Sequence, residues 1–291
     1  MNKSIRVKKF PIKLSTPFIY LALSLWASTT IYPIIWVVLN SFKDRRQILS
    51  NSFALPVGEL FTLDNYILAF QRVNIFGAYR NSLIISLTVA AVVILLAGFA
   101  SYVLVRYEFI GKNLLQSMVI AGMMFPIFST IIPVFRMMNA WGITNTDNLW
   151  LSLFATALPQ IAGNMSFAIV VLVGFIKGLP IELEEAAYME GCNMFQIFFR
   201  VVMPLTKPSF ATVGIFTFLW SYNDLFTQMF TLRVKSQWAI TRLLNELTSM
   251  EGTNYGLMAA AVTIVVIPVL IVYIFLQKYI IKGLTAGAVK G

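Results

Sequence analysis

The residues able to do chemistry are few and unevenly placed. The 291-residue chain has no histidine and one cysteine, Cys192. The commonest general base, an internal disulfide and any multi-cysteine metal site are therefore excluded. No G-x-x-x-x-G-K-[ST] phosphate loop occurs, since Gly111-Lys112 is followed by Asn113 and lacks the earlier glycine. The expectation is a chain that is no enzyme, has no catalytic residue, ligates no metal and binds no cofactor itself. Two placements of polar groups remain. Glu182, Glu184 and Glu185 cluster before Gly191 and Pro204, and Asp224 stands alone inside an apolar stretch.

The elements that carry these groups are set by hydrophobicity. The chain is 58% hydrophobic and only 12% charged, against about 45–50% and about 25% in soluble domains. Residues 14–42, 81–105, 113–135, 148–176 and 252–277 contain no Asp, Glu, Lys or Arg. Each exceeds the roughly 20 residues that cross a hydrocarbon core about 30 Å thick. A sixth apolar stretch, 209–231, is interrupted only by Asp224. The runs lack the alternation of barrel strands, so the predicted class is an all-α membrane protein with six transmembrane helices. Residues 1–16 form a basic arm, 17–280 the six-span domain and 281–291 a short tail. The uncharged run 14–42 is well beyond the roughly 7–15 residues of a signal-peptide core, so an uncleaved first span is expected.

Orientation follows from the arm, where Lys3, Arg6, Lys8, Lys9 and Lys13 occur without an acid. The positive-inside rule places it, and with six spans the C-terminus too, in the cytoplasm. The mixed segment 41–79 then lies outside as loop and interfacial helix, although Lys43, Arg45, Arg46, Arg72 and Arg80 fall there against the rule. The net charge of +10 is spread along membrane edges, where such side chains reach toward headgroups. That pattern does not point to nucleic acid. Pro33, Pro126, Pro133, Pro159 and Pro268 lie within the predicted spans and are expected to kink them.

Residues 178–208 form the longest inter-span segment expected in the cytoplasm, and they read as helix–turn–helix. Pro180 and the three glutamates suit a helix N-terminus. Gly191 supplies a left-handed turn, Asn193 caps a second helix through Val202, and Pro204 is expected to stop it. Anionic headgroups would repel the acidic first helix, so a protein partner with a groove fits better than a lipid surface.

The spacing Glu185-Ala186-Ala187, Gly191, Pro204 resembles the E-A-A-x3-G-x9-I-x-L-P coupling motif of binding-protein-dependent importer permeases. Val201 and Met203 replace its Ile and Leu, Glu190 its common aspartate and Cys192 its common alanine. The tail Gly283-Leu284-Thr285-Ala286-Gly287 and the span segment Trp220-Ser221-Tyr222-Asn223-Asp224 are similar to those of maltose-type sugar permeases. The resemblance implies a type I ABC importer permease fold with a cytoplasmic coupling helix–turn–helix. It implies that Glu185, Ala186, Ala187, Gly191 and Pro204 dock a separate ATPase, and that Gly283, Leu284, Thr285 and Gly287 contact the ATPase pair. It further implies a homologous second permease, two ATPase subunits that bind ATP-Mg, an extracytoplasmic solute-binding protein and a bacterial cytoplasmic membrane. The cargo implied is a sugar or oligosaccharide, with a polyol or glycerol phosphate as the alternative.

Asp224 has two readings. With Asn223, Gln228 and, as a weaker candidate, Asn164 it lines a substrate path, or it ties one helix to its neighbour or lies near the outer interface. Asn81 and Ser166 are weaker candidates for the path. An ion-coupled transporter or channel is the competing class, and Asp224 would be its one intramembrane relay group.

Overall fold

The computed structural model describes residues 15–250 and 254–288, and every regular element there is helical. The basic arm falls outside the described residues up to residue 14. In chain order the helices are α1 (Ser15–Asn40), α2 (Arg45–Ser50), α3 (Asp64–Arg72), α4 (Ile75–Arg106), α5 (Lys112–Met123), α6 (Ile127–Ala140) and α7 (Leu149–Ile176). They continue as α8 (Glu182–Met189), α9 (Met194–Ile197), a π-helical turn (Phe198–Val202), α10 (Met203–Leu205), α11 (Lys207–Asn223), α12 (Leu225–Thr231), α13 (Ile240–Met250) and α14 (Tyr255–Ala288).

Four helices, α1, α4, α7 and α14, are long and apolar enough to cross a membrane singly, and the number reaches six if each of two bent pairs is one span. The third predicted span is one of those pairs. It breaks between Met123 and Ile127, and its halves meet at 105°. Pro126 adopts ψ 112°, the extended geometry that a proline ring tolerates, and no buried side chain of α5 holds the helix straight. Span five differs at both ends. Residues 194–205 lead into α11 through an 84° bend at Thr206, and Asp224 separates α11 from α12.

Contacts divide the described chain into two units, 15–69 with 254–263 and 70–250 with 264–288. In the first, α2 starts on an Asp44 capping box with Gln47, and Asn65 donates to the carbonyls of Ser41 and Lys43 at 3.0 and 2.8 Å. Gly256 sits against this loop so closely that a Cβ there would lie 2.5 Å from the Lys43 carbonyl. The polar segment between the first two spans is thus a folded structure, as its capping residues require.

The second unit is built on α4, which packs chiefly on α7 and α11. Its buried positions include Ala78, Ser82, Ile85, Ser86, Val89, Val93, Ala97 and Ser101, spaced three and four apart on one face. Small residues let backbones approach, and a Cβ on Gly98 would meet Phe210 at 2.9 Å and Phe198 at 3.0 Å. Pro33, Pro133, Pro159 and Pro268 stay inside helices. At Pro268 the missing N–H leaves the Ile264 carbonyl without its helical donor, and the Tyr79 hydroxyl donates to that oxygen instead. The last helix also runs on through Gly283, Leu284, Thr285 and Gly287 to Ala288. The predicted tail is therefore helical backbone up to that point; its side chains, and residues 289–291 entirely, lie outside the described residues.

Candidate functional site

The segment after α7 folds as its local chemistry dictates. Glu182, Glu184 and Glu185 occupy the first turn of α8, where the exposed N–H groups favour negative charge. The helix ends in a Schellman turn: Gly191, at φ +82°, donates to the Tyr188 carbonyl at 2.9 Å, and Cys192 donates to Ala187 at 3.1 Å. Asn193 then caps α9 in a box with Gln196, with bonds of 2.9 and 3.0 Å.

Pro204 does not end the second helix as expected. The π-helical turn just before it includes a Met203 N–H bond to the Phe198 carbonyl, five residues back. That widening accommodates the proline, which has no N–H to offer, and the helix continues to Leu205. Phe198 anchors the turn, stacked on Phe99 with ring centroids 4.4 Å apart.

The three glutamates have different fates. Glu184 points inward, and its carboxylate meets the Arg106 guanidinium at 2.7 Å. Arg106 also donates to the carbonyls of Ile176 and Leu179 at 3.3 and 3.0 Å. One cation at the end of α4 therefore holds the end of α7 and the start of α8. Glu185, Ala186 and Gly191 are exposed and Ala187 is half-buried. Beside them Tyr188, Met189 and Phe195 are 70%, 84% and 58% exposed. The element is braced from behind and offers an apolar, acid-edged face outward.

The other candidate site is a cavity of about 970 Å³ lined by α5, α6, α7, α11 and α12. Asn223, Asp224 and Asn164 line it, but Gln228 does not. Gln228 is buried at 1% exposure and its amide faces the Ser221 carbonyl at 3.5 Å. Asp224 lines the cavity and also ties two helices together. One carboxylate oxygen accepts from the Thr227 N–H at 3.0 Å and caps α12, and the other accepts from Gln160 at 2.9 Å. Gln160 in turn accepts from the Ser221 hydroxyl at 2.6 Å. Asn164 donates to the Gln160 carbonyl at 2.7 Å. Asn81 lies elsewhere and ties α4 to the carbonyls of Gln237 and Trp238. Ser166 faces Gly122, where a Cβ would sit 2.5 Å from its hydroxyl.

Sequence reasoning missed Gln160 and Arg106. Gln160 was findable, because it follows Pro159 in an apolar run and shares a helix face with Asn164. Arg106 reads simply as a membrane-edge cation, and nothing local announces its partner 78 residues away.

Residues 92–286 match the family model described as "Binding-protein-dependent transport system inner membrane component". The chain belongs to this family. It is 33% identical over 268 residues to the diacetylchitobiose uptake system permease protein NgcG of Streptomyces coelicolor, covering 91% of this chain and 86% of that one. It is 31% identical over 263 residues to the arabinooligosaccharides transport system permease protein AraQ of Bacillus subtilis, covering 90% and 91%. Among solved structures it is similar to a chain of the bacterial alginate ABC transporter in complex with an alginate pentasaccharide-bound periplasmic protein. That match has a TM-score of 0.63 at 16% identity and covers 91% of this chain and 94% of the other. The shared fold is that of an ABC importer permease, and the chain is a multi-pass membrane transport subunit.

Proposed function

We propose that this permease carries a sugar or oligosaccharide, received from an extracytoplasmic binding protein, through a path that includes the cavity beside Asp224. Power comes from ATP-Mg in separate ATPase subunits, two per complex, and a homologous second permease completes the path. Both termini face the cytoplasm, which puts α8 and α9 on the ATPase side. The observation that carries this reading is the braced α8–α9 element, whose Schellman turn at Gly191 presents exposed Tyr188, Met189 and Phe195 beside Glu185. An exposed apolar helix face fits a groove on a partner better than it fits water. Closure of the ATPase pair would push on this face, and the Arg106 bond gives a rigid route from it to α4 and α7. The relatives' names point to oligosaccharides.

The test is reconstitution with a partner ATPase, second permease and binding protein, in proteoliposomes loaded with ATP. ATP-dependent uptake of labelled oligosaccharide is expected. Gly191→Pro removes the N–H that Tyr188 accepts and forbids the left-handed φ, so uptake should vanish while membrane insertion persists. Normal ATP-driven uptake by that variant refutes the docking role. Uptake driven by an ion gradient without any ATPase refutes the importer assignment.

A further inference from the structure

Membership in the family leaves the charge of the cargo open, since the names above run from diacetylchitobiose and arabinooligosaccharides to alginate, an acidic polysaccharide. We propose that the cavity between α7 and α11 is built for an uncharged glycan and rejects uronates and phosphorylated cargo, with Asp224 as the residue that sets this selectivity. The inference rests on the oligosaccharide reading above.

Among the described residues lining the cavity, Asp224 is the one ionisable side chain; no lysine or arginine faces it. An anion entering this space would leave water without gaining a cation, and it would approach a fixed carboxylate in a low-dielectric surrounding. The carboxylate cannot simply turn away. Its two oxygens are held by the Thr227 N–H and by Gln160, and Gln160 is itself fixed by Ser221.

The remaining polar groups suit hydroxyls. Asn164 and Asn223 use their amide N–H groups on the carbonyls of Gln160 and Leu219. Their side-chain oxygens have no partner among the described residues and can accept from a sugar O–H. The rest of the lining is largely apolar and aromatic. Trp220 and Phe226 are each 47% exposed, and each is steadied by an edge contact, Trp220 on Phe167 and Phe226 on Phe128, both at 4.8 Å. Rigid ring faces pack the C–H faces of pyranose rings, and acceptors at the margin fix orientation, the usual economy of a ligand site. The cavity volume, about 970 Å³, is at the upper end of the roughly 300–1,000 Å³ typical of small-molecule pockets, ample for several linked sugars.

The test uses the assembled importer in lipid nanodiscs without its binding protein, so that selectivity is read at the permease. Tryptophan fluorescence is titrated with maltotetraose and, separately, with tetragalacturonate, oligomers of equal length that differ in charge. Maltotetraose should bind at least roughly tenfold more tightly, the order of effect expected for one like charge at close range. Asp224→Asn keeps an oxygen for the Thr227 cap and should narrow that ratio several-fold. Met137→Arg, which adds a cation at an exposed lining position, should narrow it from the opposite side. Equal binding of both oligomers by the wild type overturns the proposal while the oligosaccharide reading stands. Binding of neither, with the complex folded, overturns both.

Discussion

The Arg106 guanidinium meets the Glu184 carboxylate at 2.7 Å, with the two side chains 12% and 7% exposed. Arg106 is the last residue of α4, and Glu184 lies in the first turn of α8. Removing one member of a buried pair strands the other, which costs about 3–5 kcal/mol. Glu184→Ala should therefore lower stability by about 3 kcal/mol, somewhat softened because Arg106 keeps two carbonyl partners. Denaturant unfolding in detergent reads this loss directly. Exchanging the charges, Arg106→Glu with Glu184→Arg, should restore less than half of it. The swapped carboxylate would face the carbonyls of Ile176 and Leu179, which repel it. Full rescue by the swap would show that those carbonyls contribute nothing.

Gly191 separates a backbone effect from a contact effect. Its φ of +82° disfavours side chains, yet nothing lies within 4 Å of where a Cβ would stand. Gly191→Ala should thus cost about 1 kcal/mol from conformation alone, and Gly191→Asn less, since asparagine tolerates this region better. If the open space is where the ATPase docks, both variants should lose ATP-driven uptake beyond their stability loss, because either side chain intrudes on the partner. Uptake that falls only in proportion to folded protein would place the ATPase contact elsewhere.

Local chemistry made much of this element legible in the sequence. Gly191 as left-handed terminator and Asn193 as cap follow from which residues tolerate those backbone states, and both appear where expected. Pro204 was misread because the same local rule does not know of the π-helical turn at Phe198, which is held by Phe99 and Tyr102 on a distant helix. The prolines teach the same lesson. Pro126 breaks its span whereas Pro159 does not. α7 is clamped along its length by α4, but α5 has no buried side chain. Asp224 was visible as an anomaly, and its cap could have been inferred from Thr227 three residues on. Its bond to Gln160 could not, because that pairing depends on how two helices pack.

Lys43 lies just after α1 with no exposed surface, and its ammonium donates to the carbonyls of Ser52 and Asn51 at 3.0 and 3.5 Å. Burial pushes its pKa below the ordinary lysine range. Between the folded and the ordinary values the unfolded chain holds more protons, so stability should rise with pH through that window and level off above it. Thermal unfolding from about pH 8 to about pH 11 should show this rise in the wild type and lose it in Lys43→Met. A rise of equal size in the variant would assign it to other groups.

Tyr79 and Pro268 give the cleanest coupled pair. Proline at 268 withdraws the N–H that would otherwise bond the Ile264 carbonyl, and the Tyr79 hydroxyl replaces it. Within a bilayer no water can take over that task. Tyr79→Phe should therefore cost about 1 kcal/mol or more, the usual loss when an acceptor is left without a donor. In a Pro268→Ala background the helix supplies its own N–H to Ile264, and the same Tyr79→Phe change should then be close to neutral. A double-mutant cycle by unfolding in detergent measures the difference as a coupling energy. Equal losses in both backgrounds would mean that the hydroxyl stabilises the fold by some contact other than the carbonyl that proline leaves open.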